Sequence, residues 1–223
     1  PPGRSAACRT PASTAMAPGT SRSEMTTYVA LGDSFTAGLV PGEPRWADEV
    51  ARALGPDTRY ENLAWVGATS ADVESKQLDL ALGLTPDIVT IVCGANDVLE
   101  SVRPDAEEYA RRLSRMFARL RREAPDAEVV TATYPDISRF LDLRPRTRVR
   151  VEKGMRRYNA ACRAVAQSHG IALLEGFDHP AASDRGTYAD DGFHPSEEGH
   201  RRAAMEFLRA LRGRFRQPRE APA

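Results

Sequence analysis

At 223 residues, 41% of them hydrophobic, the chain is long enough for one globular domain that buries most of its apolar surface, and short for two. Its 31 basic and 31 acidic side chains leave a formal net charge of zero, so no whole-molecule field draws it onto nucleic acid or an anionic membrane. No apolar stretch reaches the length of a bilayer span, and three scattered cysteines do not make a disulfide framework.

Pro1 to Glu24 is rich in Pro, Ala, Ser, Thr and Gly and carries no apolar core of a secretory signal, which predicts a disordered extension and a cytoplasmic protein. Met25, directly before the first strand-like run, is a candidate start. The folded domain is expected over residues 25–216, followed by a frayed tail from Gln217 to Ala223.

Tyr28, Val29, Ala30 and Leu31 form a continuous apolar run ending in Gly32-Asp33, the pattern of a buried parallel strand with a sharp exit. Trp46, Val50, Ala53 and Leu54 then recur at helical spacing. Arg59 to Leu63 reads as a weaker strand, and Ser70 is placed to cap a helix carrying Val73, Leu78 and Leu82. Asp87 to Cys93 is the strongest strand signal and stops at the turn formers Gly94-Ala95-Asn96-Asp97.

A long helix follows, with Ala106, Tyr109, Leu113, Met116, Phe117 and Leu120 in one stripe and Pro125 ending it. Val129 to Thr133 is the next strand. An irregular stretch from Pro135 to about Arg146 leads into a helix with Val151, Met155, Tyr158, Cys162 and Val165 on one face. Ile171 to Leu174 closes the strands, a loop carries Asp191 and His194, and Ser196 opens a terminal helix with Ala203, Phe207, Leu208 and Leu211 inward. Alternating strands and helices at this spacing predict an α/β domain with a parallel sheet between helix layers, and Cys93 and Cys162 as buried free thiols.

Ligands bind outside the carboxyl ends of such strands. Four polar points fall there: Asp33-Ser34, Gly67, Asn96, and Asp191 with His194. A serine needs a base within hydrogen-bond reach and the base an orienting carboxylate, roles that His194 and Asp191, three residues apart, are spaced to fill. The backbone N–H groups of Ser34 and Gly67 and the side-chain amide of Asn96 are candidate donors to a developing oxyanion.

Each point has a plainer reading. Gly-Asp-Ser alone is usually an ordinary turn, and Asn96-Asp97 a capped one, with Asp97 keeping a structural role. His169 and His200 read as helix-end and packing residues. His179 competes with His194 and Asp190 with Asp191, each less well on spacing. Arg139, Arg144, Arg146, Arg148, Arg150, Lys153, Arg156 and Arg157 stand against only Asp136, Asp142 and Glu152. That run reads as a solvated helix face, or as a cover that meets an anionic head group. Phe140, Leu141 and Leu143 within it either line an acyl pocket or anchor the loop.

Gly32-Asp33-Ser34-Phe35-Thr36-Ala37-Gly38, Asn62-Leu63-Ala64-Trp65-Val66-Gly67, Gly94-Ala95-Asn96-Asp97 and Asp191-Gly192-Phe193-His194-Pro195 resemble the four ordered blocks of the SGNH/GDSL hydrolases. The resemblance implies a three-layer α/β/α sandwich of flavodoxin-like architecture. It implies Ser34 as nucleophile, Asp191 and His194 as base pair, and Ser34, Gly67 and Asn96 as oxyanion hole, with Gly32, Asp33, Gly94 and Asp97 supporting the blocks. No metal or organic cofactor is implied, and the expected partner is a small acyl ester. A noncatalytic acyl- or glycan-binding module and an acyltransferase are the alternatives.

Overall fold

The computed structural model describes residues 25–39, 42 and 45–215. The expectations for Pro1–Glu24, Gln217–Ala223 and Cys8 concern residues outside these.

Five strands form one sheet in the order β2-β1-β3-β4-β5: β1 (Thr26–Gly32), β2 (Thr58–Asn62), β3 (Ile88–Val92), β4 (Glu128–Ala132) and β5 (Ala172–Leu174). Every pairing is parallel, with register partners Ala30 and Asn62, Gly32 and Val92, Ile91 and Thr131, and Ala132 and Leu174. All strand exits therefore lie along one edge. Residues of β3 are buried throughout, which is why its sequence is a continuous apolar run rather than an alternating one.

The helices are α1 (Ser34–Ala37), α2 (Trp46–Leu54), α3 (Ser70–Asp72), α4 (Leu78–Gly83), α5 (Ala95–Leu99), α6 (Ala106–Glu123), α7 (Pro145–Ser168) and α8 (Glu197–Phe215). A π-turn at Val73–Gln77 joins α3 to α4. The α2 and α8 helices pack together on one face of the sheet, and α4, α6 and α7 cover the other, giving three layers. The core is continuous across them, with Tyr28, Phe117, Leu120, Ile88 and Met155 fully buried. Each such side chain contributes about 1.5–3 kcal/mol through its burial. Cys93 and Cys162 are buried and free.

Two local expectations are corrected. Thr69, not Ser70, caps α3: its hydroxyl accepts from the Asp72 amide while the Asp72 carboxylate accepts from the Thr69 amide. Gly94 to Asp97 is not merely a turn, because α5 starts there. No described helix is long and apolar enough to cross a membrane.

Candidate active site

The chain leaves β1 through Gly32, whose φ is +148° and whose missing Cβ would stand 2.2 Å from the Val92 carbonyl oxygen. Only glycine permits that approach. The Asp33 carboxylate then caps α1 by accepting from the Phe35 amide at 3.0 Å, which makes Ser34 the first helical residue.

Remote side chains hold this turn. The Gln77 amide, from the π-turn, accepts from Gly32 N–H at 2.8 Å and donates to Gly32 C=O at 2.9 Å. Trp46 Nε1 donates to the Phe35 carbonyl at 2.8 Å. Tyr134 Oη donates to the second Asp33 oxygen at 2.5 Å, and the Asn159 amide clamps the Tyr134 peptide through both its N–H and its C=O. Burial pushes the Asp33 carboxyl up to about 7, against the downward pull of its bonds from Tyr134 and Phe35.

Ser34 Oγ lies 2.9 Å from His194 Nε2, and His194 Nδ1 lies 2.6 Å from Asp191 Oδ2. The other Asp191 oxygen accepts from the Phe193 and His194 amides at 2.8 and 3.0 Å, so the carboxylate fixes both the loop and the ring. Burial acts to raise the Asp191 carboxyl, but the His194 ring and these two amides together hold it below the usual carboxylate range. Gly192, between them, has φ +69° and a backbone that passes so close to Phe140 that a Cβ would sit 2.5 Å from its carbonyl oxygen. His194 retains 16% side-chain exposure, enough to be reached from solvent.

Asn96, on α5, donates one amide N–H to the Ala68 carbonyl at 2.9 Å, which leaves its second N–H uncommitted by that bond. This bond ties α5 to the exposed turn holding Gly67, at φ +84°. Asp97 accepts from the Ser70 amide at 2.8 Å and from its hydroxyl at 2.5 Å. Gly94, at the start of α5, abuts the Tyr109 ring, whose hydroxyl donates to the Cys93 carbonyl.

The competing residues go elsewhere. His179 Nδ1 accepts from the Ala181 amide and its Nε2 faces Glu206, while His169 Nε2 meets Ser114 Oγ. His200 accepts from the Trp46 amide, and burial holds its ring down to about 4, hence neutral at physiological pH. Asp190 lines the pocket of about 330 Å³ that also contains Ser34, Asp191 and His194, but its carbonyl is held by Arg185.

The arginine run divides. Arg148 donates to the Ser138 and Leu141 carbonyls and Arg150 to those of Val98 and Ser101, so both tie the chain internally, while Arg144, Arg146, Lys153 and Arg157 are exposed. Leu141 and Leu143 pack against the core, and Phe140 lies beside Tyr188. Among the described residues, no group of three or more His, Cys, Asp or Glu side chains could hold a metal ion.

The sequence marks Trp46 only as an apolar helix position and does not single out Gln77, Tyr134 or Asn159. Tyr134 stands just past the exit of β4, where inspection of strand ends would have met it. Gln77 gives only the faint signal of a polar residue among the inward-facing Val73, Leu78 and Ala81.

The model of the GDSL-like lipase/acylhydrolase family matches residues 30–202. No curated protein matches the chain. Among solved structures, the lipase/acylhydrolase from Enterococcus faecalis is 23% identical with a TM-score of 0.69, covering 88% of this chain and 100% of that one. The extracellular lipase from Streptomyces rimosus is 21% identical with a TM-score of 0.60, covering 84% of this chain and 99% of its own. LAE5, an alpha/beta hydrolase from the metagenome of Lake Arreo, Spain, is 24% identical with a TM-score of 0.62, covering 83% and 94% respectively. At these identities the likeness is one of fold.

Proposed function

Because this chain belongs to the GDSL-like lipase/acylhydrolase family, whose name denotes ester-hydrolysing enzymes, we propose that it is a carboxylic-ester hydrolase that works through an acyl-enzyme on Ser34. The carrying observation is the continuous relay from Ser34 Oγ to His194 Nε2 at 2.9 Å and from His194 Nδ1 to Asp191 Oδ2 at 2.6 Å. A hydroxyl without such a base is a poor nucleophile at neutral pH.

In this mechanism Ser34 Oγ attacks the ester carbonyl carbon as its proton passes to His194 Nε2. Asp191 holds the ring in the tautomer with Nδ1 protonated and stabilises the imidazolium that forms. The carbonyl π electrons move onto oxygen, where the Ser34 and Gly67 amides and the second N–H of Asn96 donate to it. As the tetrahedral intermediate collapses, the C–O bond to the alcohol breaks and the alkoxide leaves with the proton from His194. A water, deprotonated by the same nitrogen, then releases the acid and restores Ser34.

A fluorophosphonate probe, read by intact mass and peptide mapping, tests this. The wild type should carry one label on the Ser34 peptide, Ser34→Ala none, and His194→Ala should be labelled far more slowly. Folded wild type that takes no label, or takes it at another residue, would overturn the proposal.

A further inference from the structure

Two pairs of chain neighbours face each other across the candidate site. Ser34 meets His194 through the 2.9 Å hydrogen bond, and beside them Phe35 meets Phe193, with ring centroids 5.2 Å apart and planes at 74°. That is the edge-to-face geometry that aromatic quadrupoles favour. Consecutive Cα atoms lie about 3.8 Å apart, so a contact that fixes the two rings also limits how far the two polar side chains can separate.

The two rings are held differently. Phe35 is immobilised: its amide donates to Asp33, its carbonyl accepts from Trp46 Nε1, and its ring stands at 87° to the Tyr134 ring, 5.0 Å away. Phe193 belongs to a turn shaped by short-range bonds. Ala189 N–H donates to the His194 carbonyl at 2.8 Å, Gly192 N–H donates to the Ala189 carbonyl at 2.9 Å, and Asp191 Oδ1 accepts from the Phe193 and His194 amides. These bonds define the turn without fastening it to β1 or α1. Phe193 does fasten it, being 8% exposed and part of the core, whereas the Asp191 side chain nearby is 41% exposed. The bond from Ser34 to His194 is by itself a weak tether, because water reaches His194 and replaces such a bond at little net cost.

We infer that Phe193 is a positioning residue: docked edge-on against Phe35, it holds His194 Nε2 within hydrogen-bond reach of Ser34 Oγ. The catalytic half of this inference rests on the Ser34 reading above; the docking of the turn by Phe193 does not. Removing the ring should raise the undocked fraction about 10- to 100-fold, the equilibrium equivalent of burying one such side chain. A base displaced by about 1 Å costs about 10²-fold in rate.

Hydrogen exchange read by mass spectrometry tests the docking. In Phe193→Ala, a peptide covering residues 186–196 should exchange about 10- to 100-fold faster than in wild type, while peptides covering β1 and β3 keep their rates. Phe193→Leu, which restores most of the buried volume, should fall between the two, and it carries the same comparison where Phe193→Ala does not fold. Unchanged exchange over residues 186–196 overturns the inference. So does an equal acceleration in β1 and β3, which would make Phe193 an ordinary core side chain.

Fluorophosphonate labelling of Ser34 tests the consequence for the reaction. Phe193→Ala should label about 100-fold more slowly than wild type, and on a short-chain ester kcat should fall by a similar factor with KM changed less than about threefold. In a His194→Ala background the same substitution should alter labelling less than about twofold, because the base it positions is already gone. Comparable slowing in both backgrounds overturns the positioning role. If folded wild type takes no label, the Ser34 reading fails, and hydrogen exchange still decides whether Phe193 docks the turn.

Discussion

Replacing Asp33 by Asn should make stability less sensitive to pH in a direction that the site fixes. The carboxyl is fully buried and its pKa rises from 3.8 to about 7 on folding, mainly through desolvation. A group whose folded pKa is raised contributes stability that is complete below its unfolded value and is lost as pH rises through the folded one. Each pH unit of displacement corresponds to about 1.4 kcal/mol, so wild type should lose about 4 kcal/mol from this group between pH 4 and pH 8. The substituted amide cannot ionise, keeps an oxygen for the Phe35 amide, and presents an N–H to the Tyr134 oxygen, which can accept. Urea unfolding of wild type and Asp33→Asn from pH 4 to 8 measures the difference between the two curves, in which all other carboxylates cancel. The curves should converge or cross in favour of the variant as pH rises. A wild-type advantage that is constant, or that grows with pH, would refute the burial argument.

Gln77→Met preserves shape and apolar packing but strips the buried Gly32 N–H and C=O of their partners. It should cost about 2–5 kcal/mol in urea unfolding, and a cost below about 0.5 kcal/mol would show the clamp to be dispensable. His200 should titrate near pH 4 by ring-proton NMR and remain neutral above pH 6. Because its folded pKa is depressed, its contribution to stability is present above about 6.5 and is lost as pH falls through 4. Asp191→Asn should leave the fold intact while lowering kcat by about 10⁴-fold, since the amide favours the wrong imidazole tautomer. Steady-state kinetics on a short-chain ester check it, and a loss below tenfold would remove Asp191 from the proposed relay.

Much of the architecture was legible because burial leaves a simple trace in a parallel sheet. Strand β3 reads as Ile-Val-Thr-Ile-Val and lies buried at the centre of the sheet, and α6 shows one apolar stripe that the structure buries as a unit. The errors fall where the deciding partner is distant in sequence. Ser70 looks like a cap, yet its hydroxyl goes to Asp97, 27 residues away, and Thr69 caps instead. The turn formers Gly94 to Asp97 also suit a helix start, and α5, which packs against the distant α7, continues to Leu99. Arg148 and Arg150 belong to a run of cations that resembles a solvated face, but they are spent on backbone carbonyls. At the candidate site, the residues that would meet the substrate stand at strand exits and were readable; of those that hold the Ser34 turn, Gln77, Trp46 and Asn159 lie inside helices and gave no such signal, while Tyr134 stands just past β4.

The proposed nucleophile and its proposed base are anchored to different parts of the molecule. Ser34 sits in a turn fastened by Gln77, Trp46 and Tyr134, each 3% exposed or less, so that displacing it means opening the core itself. The segment bearing Asp191 and His194 has one core anchor, Phe193, 5.2 Å from the Phe35 ring, and is otherwise held by its own neighbours: Arg185 to the Tyr188, Ala189 and Asp190 carbonyls, and a bridge between Tyr188 and Pro195. Such a segment opens at a fraction of the free energy of global unfolding. On warming, this loop is therefore expected to open before the sheet does. If Ser34 and His194 act as proposed, activity should then be lost reversibly at a temperature below the one at which the sheet unfolds.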